Sequence, residues 1–133
     1  MNTLRRVLYL AAGVWGVVGA ALALAPRFVL VTVFDQPPLG ELAWLRVYGI
    51  HAVGLAMLMV LVAHRIEQLW WWSWAFALVT AATAAVVVLN AAFGLSASQS
   101  STLWWLFGLV ALAFSFALLY GLFASSREQP FPG

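Results

Sequence analysis

The run from Glu41 to Arg65, ELAWLRVYGIHAVGLAMLMVLVAHR, is the only long apolar stretch of this chain that carries charge and histidine inside it. From Ala43 to Ala63 it is long enough, at about 1.5 Å per residue, to cross a hydrocarbon layer of roughly 30 Å as a helix. It reads as a membrane span over about 41–63, and its polar side chains are the ones placed to do chemistry within a bilayer. Composition agrees. Of 133 residues 65% are hydrophobic and 8% charged, with a mean hydropathy of +1.01, which leaves far less polar surface than a water-soluble domain needs.

Three further apolar runs, at about 5–25, 69–90 and 103–124, predict an all-α integral membrane protein: an up-down four-helix bundle. Its single domain covers 1–133, with an interfacial segment between the first two helices and a mobile tail from Ser125. The net charge of +2 and the lack of a basic stripe exclude a nucleic-acid partner. Zero cysteine excludes disulfide exchange, thiolate metal sites and cysteine nucleophiles within this chain. All six basic residues are arginine. With the richness in Ala, Leu and Val, this points to a GC-rich bacterial genome and to the cytoplasmic (inner) membrane.

The first run follows Arg5 and Arg6 and ends Ala23-Leu24-Ala25, a pattern shared with cleavable leaders. Pro26 is a poor residue to follow a cut, so a retained first helix is expected. Ala12, Gly16, Ala20 and Ala23 recur at helical spacing with Gly13 and Gly19 beside them, a nearly bare face that lets another backbone approach closely within the bundle. The connection PRFVLVTVFDQPPLG, Pro26 to Gly40, contains an apolar run of seven, Phe28 to Phe34, too short to span. It should lie at the membrane surface against the bundle, as strand, helix or re-entrant loop. Asp35 or Gln36 should cap a second helix that starts near Pro38.

In that helix, 100° steps place Glu41, Trp44, Tyr48, His51 and Leu55 within a sector of about 80°, with Arg46, Ile50, Val53 and Met57 opposite. Arg46, about 5 Å deep, can snorkel to the headgroups, whereas His51 lies about 12 Å deep. His51 is expected either to act in the membrane or to sit neutral, hydrogen-bonded to Tyr48, Thr80, Thr83 or a carbonyl across the bundle. His64 to Gln68 forms a tight polar connection. Trp70, Trp71, Trp72 and Trp74 should form an interfacial belt at the start of the third helix, which runs to about Asn90. A serine-rich loop around 96–102 then leads to the fourth helix, with Trp104 and Trp105 at its outer end and Tyr120 near its inner end. Arg5, Arg6, Arg65 and Arg127 fall on one side of this layout, which should be cytoplasmic with both termini. Arg27 and Arg46 fall on the other.

The carboxylates Asp35, Glu41, Glu67 and Glu128 all lie in connections or at helix ends, so proton-coupled antiport through a mid-membrane acid is not expected. Two-histidine haem ligation fails because His51 and His64 share a helix, about 20 Å apart and roughly 140° apart in direction. That leaves one axial ligand, His51, for a haem or chlorophyll, and no cofactor is expected. Metal sites need three or four converging ligands, and no histidine and acid stand beside Ser73, Ser115 or the serine-rich loop. No metal site and no enzyme are expected.

The order of an apolar helix, Ala25-Pro26-Arg27, a short apolar connection, then Leu45-Arg46-x-Tyr48-Gly49 with Gly54 further on, resembles a group of small four-helix bacterial membrane proteins, loosely DoxX-like. The resemblance covers about the first two-thirds of the chain. It implies four helices and draws attention to Arg46, Tyr48 and Gly49, but carries no agreed activity. Two functional classes remain. The favoured one is a non-enzymatic accessory or structural subunit that contacts membrane lipid and packs beside larger membrane partners or its own copies. The other is a binder or carrier of a lipid, quinone or pigment, with Trp44, Arg46, Tyr48 and His51 lining a pocket open to the outer leaflet.

Overall fold

A backbone amide in lipid has no water to bond, so each spanning segment must close its hydrogen bonds on itself. The computed structural model describes residues 1–36, 40–95 and 100–128. Four of its helices are long and apolar enough to cross a membrane: the first Asn2–Leu24, the second Ala43–His64, the third Ile66–Gly94 and the fourth Thr102–Glu128. No strand occurs among the described residues. The chain is therefore all-α, as its hydropathy predicts. The turn expected at Pro37 and Pro38, the middle of the serine-rich loop (96–99) and the end of the tail (129–133) lie outside the described residues.

Several boundaries differ from expectation. The second helix starts at Ala43 with Leu42 before it, so neither Asp35 nor Gln36 caps it. Gln36 instead donates its side-chain N–H to the Phe34 carbonyl at 3.1 Å. Gly40, a poor helix former, stands between the prolines and the helix and delays its start. The third helix starts at Ile66 rather than Leu69, because Ile66 is wholly buried and belongs to the core. The polar connection shrinks to Arg65, whose φ of −113° and ψ of 42° break the helix for one residue. The third helix tightens to a 3-10 turn over Trp70–Trp72 and widens to a π-turn over Asn90–Gly94.

The helices form two antiparallel hairpins. The first packs along the second, the third along the fourth, and the first helix joins the pairs by packing on the fourth, while the second and third touch little. At the end that holds the termini the bundle is sealed: Leu4, Leu8, Ile66, Leu118 and Leu122 have no exposed surface. Arg5 binds two elements there, from Nη2 to Glu67 at 2.6 Å and from Nε to the Ala63 carbonyl at 3.1 Å. The amino terminus pairs with Glu128 at 3.1 Å. The starts of the first and third helices thus meet the ends of the second and fourth, which is up-down topology.

Trp70 departs from the expected belt. It is 4% exposed, and its Nε1–H donates at 2.7 Å to Ser125 Oγ, which itself donates to the Gly121 carbonyl at 2.6 Å. Trp71, Trp72 and Trp74 do stand on the outside of the bundle. The tail also begins later than expected: Ser125 is buried, and Ser126–Glu128 adds a 3-10 turn.

Candidate functional site

The site begins with two glycines. A Cβ on Gly49 would stand 2.5 Å from the Gly19 carbonyl oxygen and 2.6 Å from the Ala23 nitrogen, and one on Gly19 would stand 2.8 Å from the Gly49 oxygen. The first and second helices therefore touch backbone to backbone, with Gly16 against Ala56 one turn along. This contact sets the rotation of the second helix. Gly49, Ala52, Ala56, Met59 and Val62 turn inward, and the polar sector does not. Trp44, Arg46, Tyr48 and His51 are all exposed.

His51 corrects the expectation of a partner across the bundle. Its Nδ1 bonds the Val47 carbonyl of its own helix at 2.8 Å. Thr80 likewise bonds back to the Phe76 carbonyl at 2.7 Å. A carbonyl only accepts, so Nδ1 carries the proton of that bond. Gly54, three residues on, has nothing within 4 Å of where a Cβ would stand, so the resemblance-marked glycine also faces outward.

The connection after the first helix builds the other wall. Ala25 precedes Pro26, which disfavours the α region for it; at φ −137° and ψ 60° it ends the helix. Phe28–Val33 then forms a π-turn rather than a strand, with Val29 buried. Asp35, at φ 52°, takes the left-handed conformation just after this turn. Phe34 is thereby set against the fourth helix, 5.1 Å from Trp104 and 6.3 Å from Phe107 between ring centroids.

Between these walls lies a cavity of about 520 Å³ at the end away from the termini, within the range of small-molecule sites. Val18 and Leu22 of the first helix, Phe34 of the connection, Tyr48 of the second, Thr83 of the third and Trp104 of the fourth all reach it. Tyr48 and Val86, which are 46% and 68% exposed, flank its mouth along the seam where the second and third helices part. A second space of about 320 Å³, lined by Leu58, Leu61, Trp72 and Val79 among others, continues that seam toward the sealed end.

Of the four residues expected at a pocket, only Tyr48 lines this one; Trp44, Arg46 and His51 do not. Trp104, Phe34 and Thr83 do, and the sequence marks Trp104 only as an aromatic in the first turn of its helix. Among the described residues, two buried side-chain polar atoms have no hydrogen-bond partner, Ser73 Oγ and Trp104 Nε1. No three His, Cys, Asp or Glu side chains converge among the described residues. No family model, no curated protein and no solved structure matches the chain.

Proposed function

We propose that this protein binds a lipid-class molecule within the membrane, holding its apolar body in the cavity between the four helices. The observation that supports this most is the cavity itself: about 520 Å³, walled by all four helices and open along the second–third seam. On this reading the membrane is a bacterial cytoplasmic one, which the all-arginine basic set and the Ala, Leu and Val richness support, and both termini lie inside, which the arginine distribution supports; the DoxX-like resemblance adds no activity. Purification in mild detergent, solvent extraction and mass spectrometry test the reading. A stoichiometric apolar molecule is expected with the wild type and less of it with Thr83→Phe, which fills the space. Because His51 lies outside the cavity, His51→Leu is expected to keep its full complement.

The accessory-subunit reading draws support from a different place. Ionisable groups in membrane helices almost always face protein or water, yet His51 faces outward, as it would if another protein covered that side. Co-elution with larger subunits that is lost in His51→Leu would favour it.

A further inference from the structure

We infer that the bound molecule is a polyisoprenoid lipid whose single chain runs the length of the second–third seam and crosses both leaflets. This rests on the cavity reading above and names the class of chain that the seam fits. The spaces of about 520 and 320 Å³ lie along the same pair of helices. On the third helix their linings meet within one turn, Val79 in the smaller and Ala82 and Thr83 in the larger. Together they extend from Leu69 to Val87 on that helix, a rise of about 27 Å. The hydrocarbon layer is roughly 30 Å thick, so an acyl tail that ends near the midplane reaches only about 15 Å. One such tail fills half of the seam.

Two tails, one from each leaflet, fit less well. The second and third helices are joined through Arg65 alone at the terminus end and touch little beyond it. The smaller space lies toward that joined end and is walled by these two helices only, whereas all four helices wall the larger. The gap therefore narrows toward the joined end, and a tail rooted there would have to enter at its tightest point. Among the described residues that line the smaller space none carries a charge or a hydroxyl, so it takes hydrocarbon and no head group. The hydroxyl-bearing residues Tyr48 and Thr83 line the larger one, and the head belongs at that wider end. Because the surrounding lipid is equally apolar, the chain is held by close contact along the seam rather than by transfer from water.

The test places the full chain in phospholipid nanodiscs with hexaprenol, whose extended chain is about as long as the seam, carrying a diazirine either beside its hydroxyl or in its last isoprene unit. Photolysis and peptide mass spectrometry are expected to find the head-end label near Phe34 and Thr83 and the far-end label near Leu58 and Trp72. Unlabelled hexaprenol should suppress far-end labelling roughly two- to tenfold more than farnesol, half its length, at equal mole fraction. Ala75→Phe, which fills the smaller space, should abolish far-end labelling there and leave head-end labelling in place, and the retained labelling reports that the variant has folded. Competition by a polyprenyl phosphate and by an isoprenoid quinone of the same chain length distinguishes the two membrane sources of such a chain, the stronger competitor naming the head. Far-end label confined to the larger space or scattered over the outer faces, far-end labelling that survives Ala75→Phe, equal suppression by farnesol, or equal labelling of the smaller space by a phospholipid with a diazirine at its tail end overturns the single chain and leaves the cavity reading standing. Absence of label from the larger space with every probe overturns both.

Discussion

At the scale of single residues, the decisive groups are those with the least side chain. Gly19 and Gly49 bring two backbones into contact, and because the neighbours are backbone atoms rather than flexible side-chain ends, a methyl group can be accommodated only if the helices separate. Gly49→Ala is expected to cost about 1–3 kcal/mol, read as a lower unfolding midpoint in detergent micelles. Gly54→Ala, with open space around it, should leave that midpoint unchanged or slightly higher. The bare face of the first helix is visible in the sequence as Ala12, Gly16 and Ala23. Its partner, Gly49 with Ala52 and Ala56, is less so, because Tyr48 and His51 draw the eye to another side of the same helix. Small residues prevail there: close backbone approach is gained over the whole crossing, whereas an imidazole can satisfy itself on the carbonyl one turn back.

At the scale of elements, the start of the third helix shows how composition alone misleads. Four tryptophans within five positions all suit the headgroup zone by chemistry, yet a 3-10 turn at Trp70–Trp72 turns Trp70 inward to Ser125 and leaves the other three outside. Trp70→Phe removes that hydrogen bond and should cost about 1 kcal/mol, while Trp72→Phe on the outer surface should cost nothing measurable in the same unfolding assay. The connection from Pro26 to Asp35 is comparable. Its apolar character predicts contact with the bundle, and Val29 and Phe34 make it. The π-turn that aims Phe34 at Trp104 is set by packing partners remote in sequence.

At the scale of the whole molecule, the bundle is closed at one end and parted at the other. Arg5, Glu67, Glu128 and the amino terminus join the closed end, and the cavity occupies the parted one. Because the chain has no cysteine, single cysteines can report the sidedness of the two ends. Arg6→Cys and Arg127→Cys are expected to react with an impermeant maleimide only after cells are lysed, Glu41→Cys and Ser100→Cys before. The reverse pattern would invert the proposed orientation, and reaction of all four from one side would break the up-down layout.

Hydropathy by itself determined the membrane class, the number of helices and the end of the bundle at which each charge lies, since a run of about twenty apolar residues has only one stable form in lipid and charges are driven to its ends. Which face of the second, third and fourth helices turns inward was decided only in the tertiary structure. So were the parting of the second and third helices and the space where Tyr48, Thr83, Phe34 and Trp104 meet. In lipid nearly every side of these helices is apolar, so the sequence carries little inward–outward contrast, and rotation is chosen by which pairs of surfaces fit closely.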